Sequence, residues 1–273
     1  MQARRLSFIG AGNMPRSIIS GLVKGGYDAN LISASNPSTP KLEALSHHFG
    51  INTTQSNYAA CDFADVVILS VKPQIMAQTC ADLIAHCDIS GKLMVSIAAG
   101  ITTDRLIEML GGHTNVVRTM PNTPSALSMG MTGLYAPKTV NNADKEFVAS
   151  VMKHVGEILW VDSDEKINTV IAAAGSSPAY FFLFAQAMQD EVIRQGLNKD
   201  DARLLVQQAL LGSAQMICDN PTLELSELRA QVTSKGGTTH EAISSFQESN
   251  LEAIVSKAMR AAITRATEMA NDF

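Results

Sequence analysis

The stretch Arg5–Val23, RLSFIGAGNMPRSIISGLV, decides the fold of this chain. RLSFIG reads as a short apolar strand, Gly10-Ala11-Gly12 follows at once, and Ile18, Ile19, Leu22 and Val23 then recur at helical spacing. Strand, glycine turn and helix in that order form the dinucleotide-binding fingerprint. Gly10 permits the tight turn, and Gly12 lets the backbone approach a pyrophosphate at the helix N-terminus. Pro15 stands at the third glycine position of the pattern. A proline is tolerated there, because N–H groups in a helix's first turn have no partner to lose. A lone GxG would be an ordinary turn; between this strand and this helix it reads as a nucleotide site.

Moving outward, Leu31–Ala34 reads as the second strand. An NAD site places an Asp or Glu at the end of that strand for the ribose 2′-hydroxyl. This chain has Ser35-Asn36-Pro37-Ser38, with Lys41 shortly after. Such donors receive a 2′-phosphate that a carboxylate would repel, which points to NADP (NADPH), with NAD as second choice. The same four residues are also ordinary loop chemistry. Asp65–Val71 is an apolar strand of the kind buried in a parallel sheet, ended by Lys72-Pro73. Lys92–Ala98 repeats the form, and Ala99-Gly100 turns into a helix around Thr103–Leu110. Asn115–Thr119 leads into Met120-Pro121-Asn122-Thr123-Pro124, and strands near Met131–Tyr135 and Ile158–Val161 close the sheet around an intervening helix. Ligands of such a sheet lie beyond the carboxyl ends of its strands. Gly10–Gly12, Ser35-Asn36, Val71–Pro73, Ala98-Ala99 and Asn122-Thr123 all fall at those ends.

After about Val161 the strand signals stop. The expected fold class is therefore α/β: a Rossmann-type doubly wound sheet in residues 1–162, then an all-α domain in residues 163–273. Asp164–Ala174 reads as one helix and Pro178–Gln195 as another, with Ser177 as N-cap. Asn198–Asp219 is apolar on most faces and is expected to be deeply buried, and Asn250–Met269 carries a further apolar side. So much apolar helix surface predicts an intertwined homodimer. Between these helices lies Val232–Thr239, VTSKGGTT, ahead of the helical EAISSFQ. Thr238 and Glu241 have capping-box spacing, Gly236-Gly237 frees the backbone, and the helix start adds a positive dipole end. The stretch suits a small carboxylate or phosphate, though it also fits a plain glycine turn with a helix cap.

At 273 residues the chain is comfortable for two domains, and 46% hydrophobic content supports a large core. A net charge of −5 without a basic cluster argues against nucleic acid or an anionic membrane as partner. Cys61, Cys80, Cys87 and Cys218 have neither metal-ligand nor disulfide-framework spacing, so no metal is expected and a reduced, cytoplasmic setting fits. The first strand starts too close to Met1 for a signal peptide. The longest apolar run, IAAAGSSPAYFFLF, is expected to be broken by Gly175 and Pro178, leaving no membrane span.

Six short motifs together resemble the pyrroline-5-carboxylate reductase family across essentially the whole chain. They are FIGAGNM at Phe8–Met14, VKP at Val71–Pro73, SIAAG at Ser96–Gly100, RTMPNTP at Arg118–Pro124, GSSPAY at Gly175–Tyr180 and VTSKGGTT at Val232–Thr239. The resemblance implies reduction of 1-pyrroline-5-carboxylate to L-proline with NADPH or NADH, the last step of proline biosynthesis. It implies a C-terminal dimerisation domain, and often a larger ring, up to a decamer of five dimers. By the same resemblance Gly10, Ala11, Gly12, Asn13 and Met14 would hold the pyrophosphate. Ser35, Asn36 and Asn57 would meet the adenosine ribose or its phosphate. Ser70, Val71, Lys72, Pro73, Ile97, Ala98 and Ala99 would line the cofactor toward the nicotinamide. Ser234, Gly236, Gly237 and Thr238 would clamp the substrate carboxylate, and Thr239 would place its hydroxyl at the ring nitrogen. Asp164 lies near a family position that touches product. The family usually has proline where this chain has Lys235, which either adds positive potential beside the carboxylate or is a solvated side chain without a role. The nearest rival class, the β-hydroxyacid dehydrogenases, needs a lysine and an asparagine on the helix after the linker, and INTVIAAAGSSPAYFF lacks the lysine. A non-enzymatic nucleotide-binding regulator would leave the hydroxyl-glycine loop without a task.

Overall fold

The computed structural model describes residues 3–272. The first half runs β1 (Leu6–Ile9), α1 (Asn13–Lys24), β2 (Ile32–Ser35), α2 (Thr39–Phe49), β3 (Asn52–Thr54), α3 (Asn57–Phe63) and β4 (Val66–Leu69). It continues with α4 (Met76–His86), β5 (Leu93–Ser96), α5 (Thr103–Met109), β6 (Val116–Met120), β7 (Gly130–Tyr135), α6 (Asn142–Lys153) and β8 (Gly156–Trp160). The eight strands form one sheet in the order β3-β2-β1-β4-β5-β6-β7-β8. All pairs are parallel except β6 with β7. The order reverses between β1 and β4, where a doubly wound sheet opens its ligand crevice.

The residue pattern explains the layers. LSFI, VVIL and LMVS have no exposed position, because helices cover both faces of the sheet. Alternation along β1 sends Phe8 into the layer with Ile18, Ile19, Leu22, Phe147 and Val151. Ile9 enters the opposite layer with Cys61, Met76, Cys80, Leu83 and Leu106. β3 has the polar sequence NTT and is at least partly exposed, so no apolar run marks it in the sequence. After β6 the chain turns through Thr123–Leu127 and a left-handed Ser128 (φ 57°). A connection this short joins antiparallel strands, whereas a parallel crossover needs a dozen residues or more.

Beyond β8, α7 (Lys166–Val170) runs into a π turn at Ile171–Gly175. There follow α8 (Ser177–Arg194), α9 (Lys199–Asp219), α10 (Leu225–Gln231), α11 (Thr238–Glu248) and α12 (Leu251–Asp272). The chain divides into a first compact unit of Met1–Ser176 with Ala261–Phe273, and a second of Ser177–Arg260. Ala266 of α12 belongs to the first unit through Ile167 and Ile171. Gly175 and Pro178 do not break the apolar run as expected. Lys166–Arg194 is a helical stretch long and apolar enough, by length and composition, to cross a membrane. The π turn absorbs the irregularity instead: Ser176 N–H reaches back to the Ile171 carbonyl at 2.7 Å.

α9 also departs from expectation. Only Ala202 and Val206 are buried in it, while Leu204, Leu205, Leu211, Met216 and Ile217 are exposed. An apolar helix shows how much surface must be covered, and one copy of the chain does not cover this one.

Candidate nucleotide site and helical loop

Gly10 has φ +107°, and a Cβ there would lie 2.8 Å from the Ser70 carbonyl oxygen. Its N–H donates to the Ser35 carbonyl at 2.9 Å, so the turn itself demands glycine. Gly12 is different. It is the N-cap of α1, no side chain caps the helix, and a Cβ there would meet only Pro15 Cδ at 3.9 Å. The first α-helical bond of α1 is Arg16 N–H to the Gly12 carbonyl at 3.2 Å, which leaves the N–H groups of Asn13 and Met14 without a helical acceptor. An uncapped helix start beside an open glycine fits the pyrophosphate of a dinucleotide. Ala11 N–H contacts Asn36 Oδ1 at 3.4 Å, joining this turn to the end of β2.

The remaining nucleotide candidates separate into supports and open groups. Ser35 is fully buried and donates its hydroxyl to Asn57 Oδ1 at 2.7 Å, holding Asn57 at the start of α3. Asn36 Nδ2 donates to Ser38 Oγ at 2.9 Å, and the Ser38 side chain lies at the surface. Ser70 Oγ donates toward the Ile9 carbonyl at 3.0 Å and the Gly10 carbonyl at 3.1 Å, tying the ends of β1 and β4 where the sheet order reverses. Val71 and Pro73 are half-buried, and Lys72 is exposed. Ile97 N–H bonds the Leu69 carbonyl at 3.2 Å, and Ala98 N–H bonds Ser96 Oγ at 3.2 Å.

Two residues of RTMPNTP have structural tasks that the motif alone did not disclose. Asn122 accepts from Met131 N–H at 2.9 Å and donates to the Ala174 carbonyl at 3.0 Å. Ala174 is four residues before Pro178, whose missing N–H would otherwise have served that carbonyl. Arg118 is the largest fully buried side chain and pairs through Nη1 with Asp164. Asp164 also accepts from Thr103 N–H at 2.6 Å and Thr103 Oγ1 at 2.8 Å, so this carboxylate is held by the chain itself.

In the second unit, the loop before α11 is a β-turn. Gly237 N–H donates to the Ser234 carbonyl at 3.0 Å, and Gly236 has φ +71°. A positive φ at the third turn position marks a type II corner, in which proline is favoured at the second position, here Lys235. The corner forms without it. The expected capping box is not there: Gly237 is the N-cap, Thr238 is already helical, and no side chain caps α11. The turn leaves Gly237 extended at ψ 168°, so it occupies the cap position intended for Thr238. The reciprocal box lies at α10 instead, between Glu224 and Glu227. Thr238, Thr239 and His240 thus present N–H groups with no α-helical acceptor, and the Ser234, Thr238 and Thr239 side chains are exposed around them. Two cavities of this unit, about 290 and 330 Å³, are lined mainly by helix residues such as Met216, Ile217, Leu228 and Phe246, with Val232 of VTSKGGTT bordering the first.

Comparison with known proteins bears on both units. Residues 164–269 match the family described as pyrroline-5-carboxylate reductase dimerisation. Residues 5–100 match that described as NADP oxidoreductase, coenzyme F420-dependent. The pyrroline-5-carboxylate reductase of Vibrio alginolyticus is 56% identical, over 98% of both chains. This chain belongs to the pyrroline-5-carboxylate reductase family. The solved pyrroline-5-carboxylate reductase of Coxiella burnetii superposes with a TM-score of 0.93 at 40% identity, covering 98% of this chain and 99% of the other. Pyrroline carboxylate reductase of Plasmodium falciparum, solved with NADP bound, gives 0.87 at 25% identity over 99% of each chain. As a pyrroline-5-carboxylate reductase family member, the chain has an NAD(P)-binding oxidoreductase sheet and a dimerisation region. The matched dimerisation region includes α8 and α9, whose apolar surface one copy leaves uncovered.

Proposed function

We propose that this protein reduces 1-pyrroline-5-carboxylate to L-proline, using NADPH in preference to NADH. The observation that carries the reading is the full-length 56% identity to the Vibrio alginolyticus reductase, which spans nucleotide turn and helical loop alike. A bound reduced nicotinamide would supply hydride to the carbon of the substrate's C=N bond. In our reading residues 1–162 form the nucleotide domain. Gly10–Met14 hold the pyrophosphate, Asn36 and Asn57 (steadied by Ser35) meet the adenosine side, and Ser70–Pro73 with Ile97–Ala99 line the nicotinamide side. The absence of an acidic residue at Ser35-Asn36 supports NADPH.

Residues 163–273 form the substrate and dimerisation domain. The substrate carboxylate sits against Ser234, Gly236, Gly237 and Thr238, where uncapped N–H groups and the helix dipole favour an anion. Thr239 orients the ring nitrogen by donating or relaying a proton. The imine arrives protonated, so no strong acid is required, and orientation supplies on the order of 7 kcal/mol or more of the barrier reduction. The apolar run Lys166–Arg194 packs on a second copy rather than in lipid, dimers gather into a ring of five, and the enzyme works in the cytoplasm without nucleic acid. The test is loss of NADPH absorbance with pyrroline-5-carboxylate, against a panel of hydroxyacids run oxidatively with NADP. Turnover of the imine alone, with a higher kcat/KM for NADPH than NADH, is expected. Turnover of a hydroxyacid in its place would overturn the assignment.

A further inference from the structure

Arg118 is enclosed on β6 at 2% exposure, and its Nη2 is buried with no partner. Asp164, reached by Nη1, is therefore the counter-ion for the whole guanidinium. Asp164 spends its other oxygen on the N–H and hydroxyl of Thr103, the first residue of α5. The span from Ile97 to Thr103 is thus held at one end by the sheet, through Leu69 and Ser96, and at the other by a buried ion pair. Left-handed Gly100, φ +76°, lies between the two anchors, and a Cβ there would sit 3.0 Å from Met269 Cβ. A buried arginine cannot exchange its one counter-ion among the described residues for water, so the pair admits one arrangement of Asp164 and hence of Thr103.

We propose that Arg118, acting through Asp164 and Thr103, is a positioning residue for Ile97–Ala99 and so for the nicotinamide half of the dinucleotide. This rests on the nucleotide reading above. The adenosine half is served by the ends of β1 and β2, which the ion pair does not touch.

The test compares NADPH with 2′-phospho-ADP-ribose, the same dinucleotide without its nicotinamide, by titration calorimetry on the full-length protein. Thr103→Val and Asp164→Asn are expected to weaken NADPH and lower kcat by about tenfold, the scale of a sub-ångström misplacement. Binding of 2′-phospho-ADP-ribose should stay within about twofold, roughly the noise of a non-contacting change. Thr103→Ser, which restores the hydroxyl, should restore NADPH affinity. Equal weakening of both ligands would mean general loosening and would overturn the proposal, as would unchanged NADPH binding. If Asp164→Asn does not fold, Thr103→Val decides alone, since it keeps the ion pair and the backbone bond. Wild-type protein that bound no NADPH would instead remove the proposed function, and this inference with it.

Discussion

A methyl group at Gly10 has nowhere to go, whereas one at Gly12 would make only an ordinary contact with the Pro15 ring. The two glycines of one motif therefore carry different constraints. Gly10→Ala should cost on the order of 1–3 kcal/mol of stability through its left-handed backbone and the Ser70 clash, seen as a lower unfolding midpoint. Gly12→Val should leave that midpoint within about 0.5 kcal/mol, the range of benign surface changes, while abolishing NADPH binding. Equal stability loss in both would contradict the distinction. Asp144 offers a pH test. Burial pushes its carboxyl up, but hydrogen bonds from Arg4, Asn115 and Asn141 hold it below the ordinary value of 3.8. A depressed carboxylate contributes stability above its unfolded value and loses it as pH falls through the lower folded one. Melting temperature should therefore drop as pH falls below 3.8, and Asp144→Asn should flatten that drop. At this scale the sequence was partly legible. The glycine turn announced itself, because only a few residue types make it. Arg118 and Asn122 stood in a motif that was noticed, yet their partners lie 46 and 52 residues away, a separation that residue type does not reveal.

Elements were legible where burial is two-sided. VVIL and LMVS need no context to read as central strands; the first pairs in register with β1 and the second with β4. The polar edge strand β3 had no such signal, and the Thr238–Glu241 spacing mimicked a cap that the preceding turn had already supplied through Gly237. The helices after β8 were the hardest to read in detail. α8 buries no residue within one copy, although Phe181, Phe182 and Leu183 are among the most exposed apolar side chains. Leu204 and Leu211, two turns apart on α9 and 58% and 57% exposed, should lie in the self-association surface. Leu204→Glu with Leu211→Glu is expected to yield monomers by light scattering while NADPH binding survives. A variant that stayed dimeric would move the interface elsewhere.

For the molecule as a whole, the two halves of the chain supply complementary chemistry. The sheet ends offer backbone N–H groups suited to a dinucleotide, and the α11 loop offers hydroxyls and N–H groups suited to a small carboxylate. The order of these parts along the chain was readable because each motif is short and local, and the need for self-association was readable from the apolar helices after β8. The central claim is that hydride passes directly from a reduced nicotinamide to the substrate ring carbon. Its most direct measurement is mass spectrometry of the product after turnover of pyrroline-5-carboxylate with NADPH deuterated on the transferred face of C4. The account predicts proline carrying a single deuterium at C5. Unlabelled proline from that cofactor, or no proline at all, would contradict it.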